Sequence, residues 1–287
     1  AQAQLPRLAQ LGIDIIWLMP IQPRGNGSAA MGISKIGTLG SPYSVRDYTA
    51  VNPDHGTLAD MKQFVEAAHQ AGIEVWLDWV PNHTAPDNVW VSTHLDYYVL
   101  EGGKPKTVRY TDNSQRYNDV CQLNFNNPQM VNAMIDAMCY WVTNTNIDGY
   151  RIDFVSSPVI SNDFWDACIG KLRQIKPDIS LMGEADFDTD DNNHLFNAGQ
   201  AAGGFDYDYA WAFNTNVQQF GTARNVAALL TACQQLVGND NYTDMDRMVY
   251  LTNHDDGALN NGNQTVDHYI LKLGDNLPPL TVLEFTF

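Results

Sequence analysis

Cationic side chains are scarce in this chain. Lys and Arg together number 16 against 33 Asp and Glu, a formal net charge of -17. Phosphate backbones are held by basic faces, so this balance argues against a nucleic-acid partner. An acidic surface suits a neutral ligand, and by itself it reads as solubility. Cysteine is also sparse, with only Cys121, Cys139, Cys168 and Cys233. No two of them form a C-x-x-C pair, which speaks against a zinc or redox centre, and they are too few for a disulfide scaffold. Cys139 and Cys168 fall in helical patterns and are read as buried thiols. No apolar run is long enough to span a membrane. The opening AQAQLPRLAQ lacks the apolar core of a secretion signal. No G-x-G-x-x-G follows the first strand-like run, which counts against a dinucleotide fold.

What is present is an alternation of short β-rich runs and helical spacings. Strands are expected at Ile13–Met19, Glu74–Val80, Gly149–Phe154, Ile179–Glu184, Phe205–Phe213 and Met248–Asn253. Helices are expected at Leu58–Ala71, ended by Gly72, at Met130–Val142, at Phe164–Ile175 before Pro177, and at Val226–Val237. Buried runs alternating with helices imply a parallel sheet of the α/β class. Residues 83–125 break the rhythm with Asn, Asp, Tyr, Thr and Gly. That stretch is too long for a simple connection and reads as an inserted subdomain. The division expected is 1–83, an inserted 84–125, and 126–287. An open doubly wound sheet and a (β/α)₈ barrel both fit, and chemistry spread over several strand ends favours the barrel.

Three acids close three of these runs: Asp153 in GYRIDF, Glu184 in ISLMGEA and Asp255 in MVYLTNHD. A carboxylate at the end of a buried strand is costly unless compensated. Arg151 and Asp153 are two apart on a strand and so face one way. The cation is expected to lower the Asp153 pKa and keep it ionised, as a nucleophile requires; a structural ion pair is the alternative. Glu184 has only apolar sequence neighbours, which are expected to raise its pKa and make it a proton donor. Asn82-His83 and Asn253-His254 stand at two further strand ends, where they could bind a metal or a polyol.

The ordered set of motifs resembles the four signature regions of the α-amylase family of glycoside hydrolases. These are DWVPNH (Asp78–His83), GYRID (Gly149–Asp153), Glu184 in LMGEA, and TNHD (Thr252–Asp255). SPYSVRDYTAVNPDHGT (Ser41–Thr57) and QLNFNNP (Gln122–Pro128) are similar to further family stretches. The resemblance implies a (β/α)₈ barrel and a retaining mechanism, with carboxyl groups roughly 5 Å apart. It implies Asp153 as nucleophile, Glu184 as general acid then base, and Asp255 as stabiliser of the distorted sugar. Arg151, His83 and His254 would bind hydroxyls or orient the acids, Tyr43 would stack on the sugar, and Asp78 would support the pocket from below. The implied substrate is an α-glucan oligo- or polysaccharide. Analogy places the activity in a secreted or periplasmic setting rather than the cytoplasm.

Three departures stand out. Ser156-Ser157 replace the Lys-His that follows the nucleophile motif in many members, so no cofactor is expected, with a structural calcium the open alternative. Gly40 stands where exo-acting relatives carry Asp, which favours cutting within a chain. Leu11–Leu18 resembles the family's second strand and Leu280–Phe287 the helix before its eighth. The sequence is therefore expected to be an incomplete barrel whose second and seventh strands are open edges; the alternative is that Leu280–Phe287 is itself a strand.

Overall fold

The computed structural model describes residues 1–25, 41–109, 116–185, 204–209, 225–228, 230–231, 246–248, 250 and 253–254. The chain divides into two compact units, Ala1–Glu184 with Gly199–Gly204, and Ala185–Ala198 with Phe205–Phe287.

The first unit is built from βα repeats. Helix α1 (Leu5–Gln10) leads to strand β1 (Ile15–Leu18), and α2 (Leu58–Gln70) leads to β2 (Glu74–Trp79). Helix α2 starts at a capping box: the Thr57 hydroxyl accepts from the Asp60 N–H, and the Asp60 carboxylate accepts from the Thr57 N–H. It buries Met61, Val65 and Ala68 along one stripe. Gly72, with φ +75°, makes the left-handed turn expected after it.

The chain then makes its excursion. Strand β3 (His83–Thr84), helix α3 (Val89–Thr93), the short pair β4 (Leu100–Glu101) and β5 (Lys104–Pro105), then β6 (Thr107–Arg109) and β7 (Arg116–Gln122) follow in order. Strands β3 and β6 both pair antiparallel with β7. The last residue of the excursion returns to its start, because His83 is opposite Gln122 and the Gln122 side-chain amide donates to Asn82 O at 3.0 Å. Tyr48 anchors the same junction. Its hydroxyl lies 2.7 Å from Val80 O and 2.9 Å from His83 O, while its own carbonyl accepts from Trp141 Nε1 at 2.7 Å.

Helix α4 (Pro128–Thr145) has Asn127 as its N-cap and buries Met130, Met134, Met138 and Trp141 completely. It delivers the chain to β8 (Gly149–Ile152). Helix α5 (Asn162–Ile175), capped by Ser161, delivers it to β9 (Ser180–Gly183). Strands β1, β2, β8 and β9 form one parallel sheet in that order, as the alternation of runs implied. At the start of β8, Asp148 ties three elements together. Its Oδ1 takes Lys176 Nζ at 2.6 Å, and its Oδ2 takes the Val75 N–H at 2.8 Å and His69 Nε2 at 2.7 Å. Burial works to raise the Asp148 pKa, but Lys176, the Val75 N–H and His69 outweigh it and hold the group below its ordinary value.

In the second unit, β10 (Tyr207–Tyr209) pairs in parallel with β11 (Asp246–Met248). Of the strand expected over Met248–Asn253, Met248 ends β11, and 249, 251 and 252 lie outside the described residues. Tyr250 and Asn253 lie outside any strand, and residues 226–228 are helical as expected. Cys168 is buried, with its Sγ 3.4 Å from Met138 Sδ, but Cys139 is only half-buried, correcting the reading that both thiols are enclosed. Cys233 and Leu280–Phe287 lie outside the described residues.

Candidate active site

The C-terminal ends of β1, β2, β8 and β9 carry one electrostatic cluster, with the Arg151 guanidinium at its centre. The side chain is fully buried, and three carboxylates lie within ion-pair distance of it: Asp78 at 3.0 Å, Asp153 at 3.2 Å and Glu184 at 2.9 Å. Trp17 packs its ring 5.2 Å from the guanidinium carbon. Three negative partners hold the Arg151 charge in place despite the cost of burial, and its pKa lies well above the ordinary value.

Asp78 is the innermost acid, with no solvent exposure. Its Oδ1 accepts from Arg151, and its Oδ2 accepts from the Tyr43 hydroxyl at 2.8 Å and from Trp17 Nε1 at 3.2 Å. Burial raises its pKa to about 6 against the pull of Arg151 and Tyr43. Tyr43 is half-buried with its hydroxyl spent on Asp78, and burial keeps that phenol protonated.

Asp153 follows the last residue of β8 and retains 17% side-chain exposure. Its Oδ1 meets Arg151, and among the described residues its Oδ2 meets no donor. Its pKa is pushed well up, first by burial and then by the Glu184 charge, with Arg151 opposing. This reverses the sequence expectation, which counted the adjacent cation but could not see the loss of water or the second carboxylate.

Glu184 also departs from expectation. Its sequence neighbours are apolar, but in space its Oε1 sits against Arg151 and its Oε2 accepts the Phe154 N–H at 2.9 Å. The medium around it is polar, supplied by residues about thirty positions earlier in the chain.

His83 is half-buried, with its Nδ1 3.1 Å from the Asn82 side-chain amide, and burial lowers its pKa to about 4, so the ring is neutral. Asn82 Oδ1 accepts the Ser157 hydroxyl at 2.7 Å. Ser157, one of the two serines standing where many relatives carry Lys-His, thus donates a hydrogen bond to Asn82. Among the described residues no three His, Cys, Asp or Glu side chains come together as a metal cluster.

His254 is half-buried and belongs to the second unit; Asp255 and Gly40 lie outside the described residues. Sequence reasoning did not single out Trp17 or Phe154. Trp17 was readable in principle, because an indole N–H in a buried strand needs an acceptor. Phe154 gave no signal: nothing in its residue type marks the left-handed backbone it adopts, φ +47°.

Comparison with known proteins places this geometry in context. The family described as "Alpha amylase, catalytic domain" matches residues 2–273. The α-1,4-glucan:maltose-1-phosphate maltosyltransferase of Mycolicibacterium smegmatis is 32% identical over 198 residues, which is 64% of this chain and 27% of that protein. Among solved structures, a maltogenic α-amylase from Thermotoga neapolitana superposes with a TM-score of 0.72 at 28% identity, covering 88% of this chain and 54% of that one. An α-amylase from Lactobacillus plantarum gives a TM-score of 0.71 at 29% identity, covering 89% and 59%. The chain thus spans about a quarter of the curated relative and just over half of each solved chain.

Proposed function

The chain belongs to the α-amylase family of glycoside hydrolases and transferases, with the (β/α)₈-barrel fold of its catalytic domain, and on that premise we propose that it cleaves internal α-1,4-glucosidic bonds of starch-like glucans or maltooligosaccharides with retention. The observation that carries this reading is one buried guanidinium shared by Asp78, Asp153 and Glu184 at the strand ends. It fixes two solvent-reaching carboxylates beside each other, the equipment of a double displacement.

Asp153 acts as the nucleophile in its ionised form, which Arg151 favours against burial and the Glu184 charge. Arg151 holds Oδ1, leaving Oδ2 to form a bond to the anomeric carbon. As the glycosidic bond breaks, the proton of Glu184 passes to the departing oxygen. Glu184, now ionised, then takes a proton from water, whose oxygen displaces Asp153 and regenerates both groups. Asp78 does no chemistry in this scheme; it holds Arg151 from below and Tyr43 from the side. Asp255 stabilises the oxocarbenium-like transition state, His83 and His254 bind sugar hydroxyls, and Tyr43 stacks on the ring, roles suggested by the motif match. The excursion 84–125 is the subdomain that borders the cleft.

Release of reducing ends from soluble starch tests this directly. Asp153→Asn is expected to lower the rate by on the order of 10³-fold or more, because it removes the nucleophile while keeping the shape. Equal signal from both proteins would refute the mechanism and favour a non-catalytic barrel. If p-nitrophenyl α-glucoside were cleaved faster than starch, an exo-acting enzyme would replace the endo reading. Transfer to a second sugar is the other reading, supported by the similarity to a maltosyltransferase. The glycosyl-enzyme can be captured by a sugar hydroxyl as well as by water, and the product profile on maltooligosaccharides separates the two.

A further inference from the structure

The junction between β8 and β9 contains an irregularity. In the register of this parallel pair, Ile152 is opposite Gly183, and the Glu184 N–H donates to Ile152 O at 2.9 Å. A regular parallel ladder would continue with the Phe154 N–H donating to Glu184 O. Instead that carbonyl receives the Val155 N–H at 3.1 Å, one residue later. The Phe154 N–H has left the ladder and reaches the Glu184 side chain, Oε2, at 2.9 Å. What turns it is the left-handed backbone of Phe154, φ +47°, one of two such non-glycine residues among those described. A bulky L-residue held there is strained, and such strain persists where the surroundings over-determine it. Here the Asp153 N–H is fixed to Trp79 O on one side and the Ser157 N–H to Phe154 O on the other.

We propose that Phe154 is a positioning residue: its left-handed turn lends the main-chain N–H to Glu184, so that in the empty pocket both oxygens of this carboxylate are held, one by Phe154 and one by Arg151, and arriving substrate must draw Glu184 off the Phe154 N–H before it can carry a proton to the glycosidic oxygen. This rests on Glu184 being the acid–base of the function proposed above. The turn works on Glu184 through its backbone N–H. Among the described residues, the charged groups facing Glu184 are Arg151 on β8, Asp153 at the end of β8 and Asp78 on β2. Their positions are common to the variants below, so a change in Glu184 titration reports the N–H.

The test is a carboxyl ¹³C titration of Glu184 without substrate, with the resonance assigned by Glu184→Gln. Phe154→Gly keeps the N–H and is at ease with positive φ, so the Glu184 midpoint is expected to stay. Phe154→Val cannot hold the left-handed turn, so the donor is lost and the midpoint is expected to rise. If Phe154→Gly moves the midpoint, the ring rather than the N–H matters and the proposal fails, whether or not the valine variant folds. An unmoved midpoint in a folded Phe154→Val protein also overturns it. Because substrate is absent, an inactive protein would refute the proposed function without touching this result. In an active one, the alkaline limb of kcat/KM should follow the same order, with Phe154→Gly close to the parent.

Discussion

Arg151 is screened by no solvent, so each of its three carboxylates feels it at full strength, and each also feels the other two. That competition sets the pH behaviour of the site. Asp78 has its pKa raised from 3.8 to about 6 by burial, so the folded protein binds this proton more tightly than the unfolded chain does. The stability it contributes is complete below the ordinary carboxylate pKa and is lost as pH rises through about 6. Asp153, also pushed up, adds in the same direction. The Asp78→Asn variant cannot titrate here. Relative to it, the parent is expected to lose roughly 2 kcal/mol between about pH 4 and pH 7, as read from urea unfolding at a series of pH values. A constant difference would show that Asp78 stays ionised throughout. Of this cluster, the Arg151–Asp153 pair was legible in the sequence, because side chains two apart on a strand face the same way. The Asp78 and Glu184 contacts were not, because they cross strands and lie 73 and 33 residues away in the chain. For the same reason the Asp153 pKa expectation failed: sequence neighbours are not spatial neighbours at a strand end.

At the scale of elements, β8 enters the sheet between two constraints. Asp148 is held ionised by Lys176, the Val75 N–H and His69, the opposite of the situation at Asp78. Its stabilisation is present above the ordinary carboxylate pKa and lost as pH falls through the lowered folded value. Asp148→Asn should therefore lower the melting temperature near neutral pH, and the deficit should shrink at about pH 3. A deficit that grew in acid would contradict the assignment. One residue on, Gly149 lies so close to its neighbours that an added Cβ would meet Ser180 O at 2.6 Å and the Trp76 ring at 2.8 Å. Gly149→Ala should force β8 away from β9 at a cost of about 1–3 kcal/mol in thermal or urea unfolding. The helices were the most readable elements, because the Met130–Met134–Met138–Trp141 stripe and the Thr57 cap are local signals. Strand limits were less so: β1 spans Ile15–Leu18 rather than Ile13–Met19, because only the residues opposite Glu74–Leu77 pair with β2.

Over the whole molecule, the parallel architecture and the family were legible because the four motifs occur in order. The bond chosen, the acceptor and the setting in the cell are not written in those motifs. Ser157 bonded to Asn82 gives one global expectation: a chelator should leave the melting temperature nearly unchanged, and a drop of many degrees would overturn it. The excursion after β2 carries a further consequence. It leaves the barrel at Asn82–His83, under the hydroxyl of Tyr48, and returns at Gln122–Leu123 onto the same Asn82 carbonyl. Its two ends are stitched to each other, and its length hardly enters the cost of closing it. The segment is therefore expected to tolerate changes of length at little cost in stability, which makes it a part of the first unit open to variation.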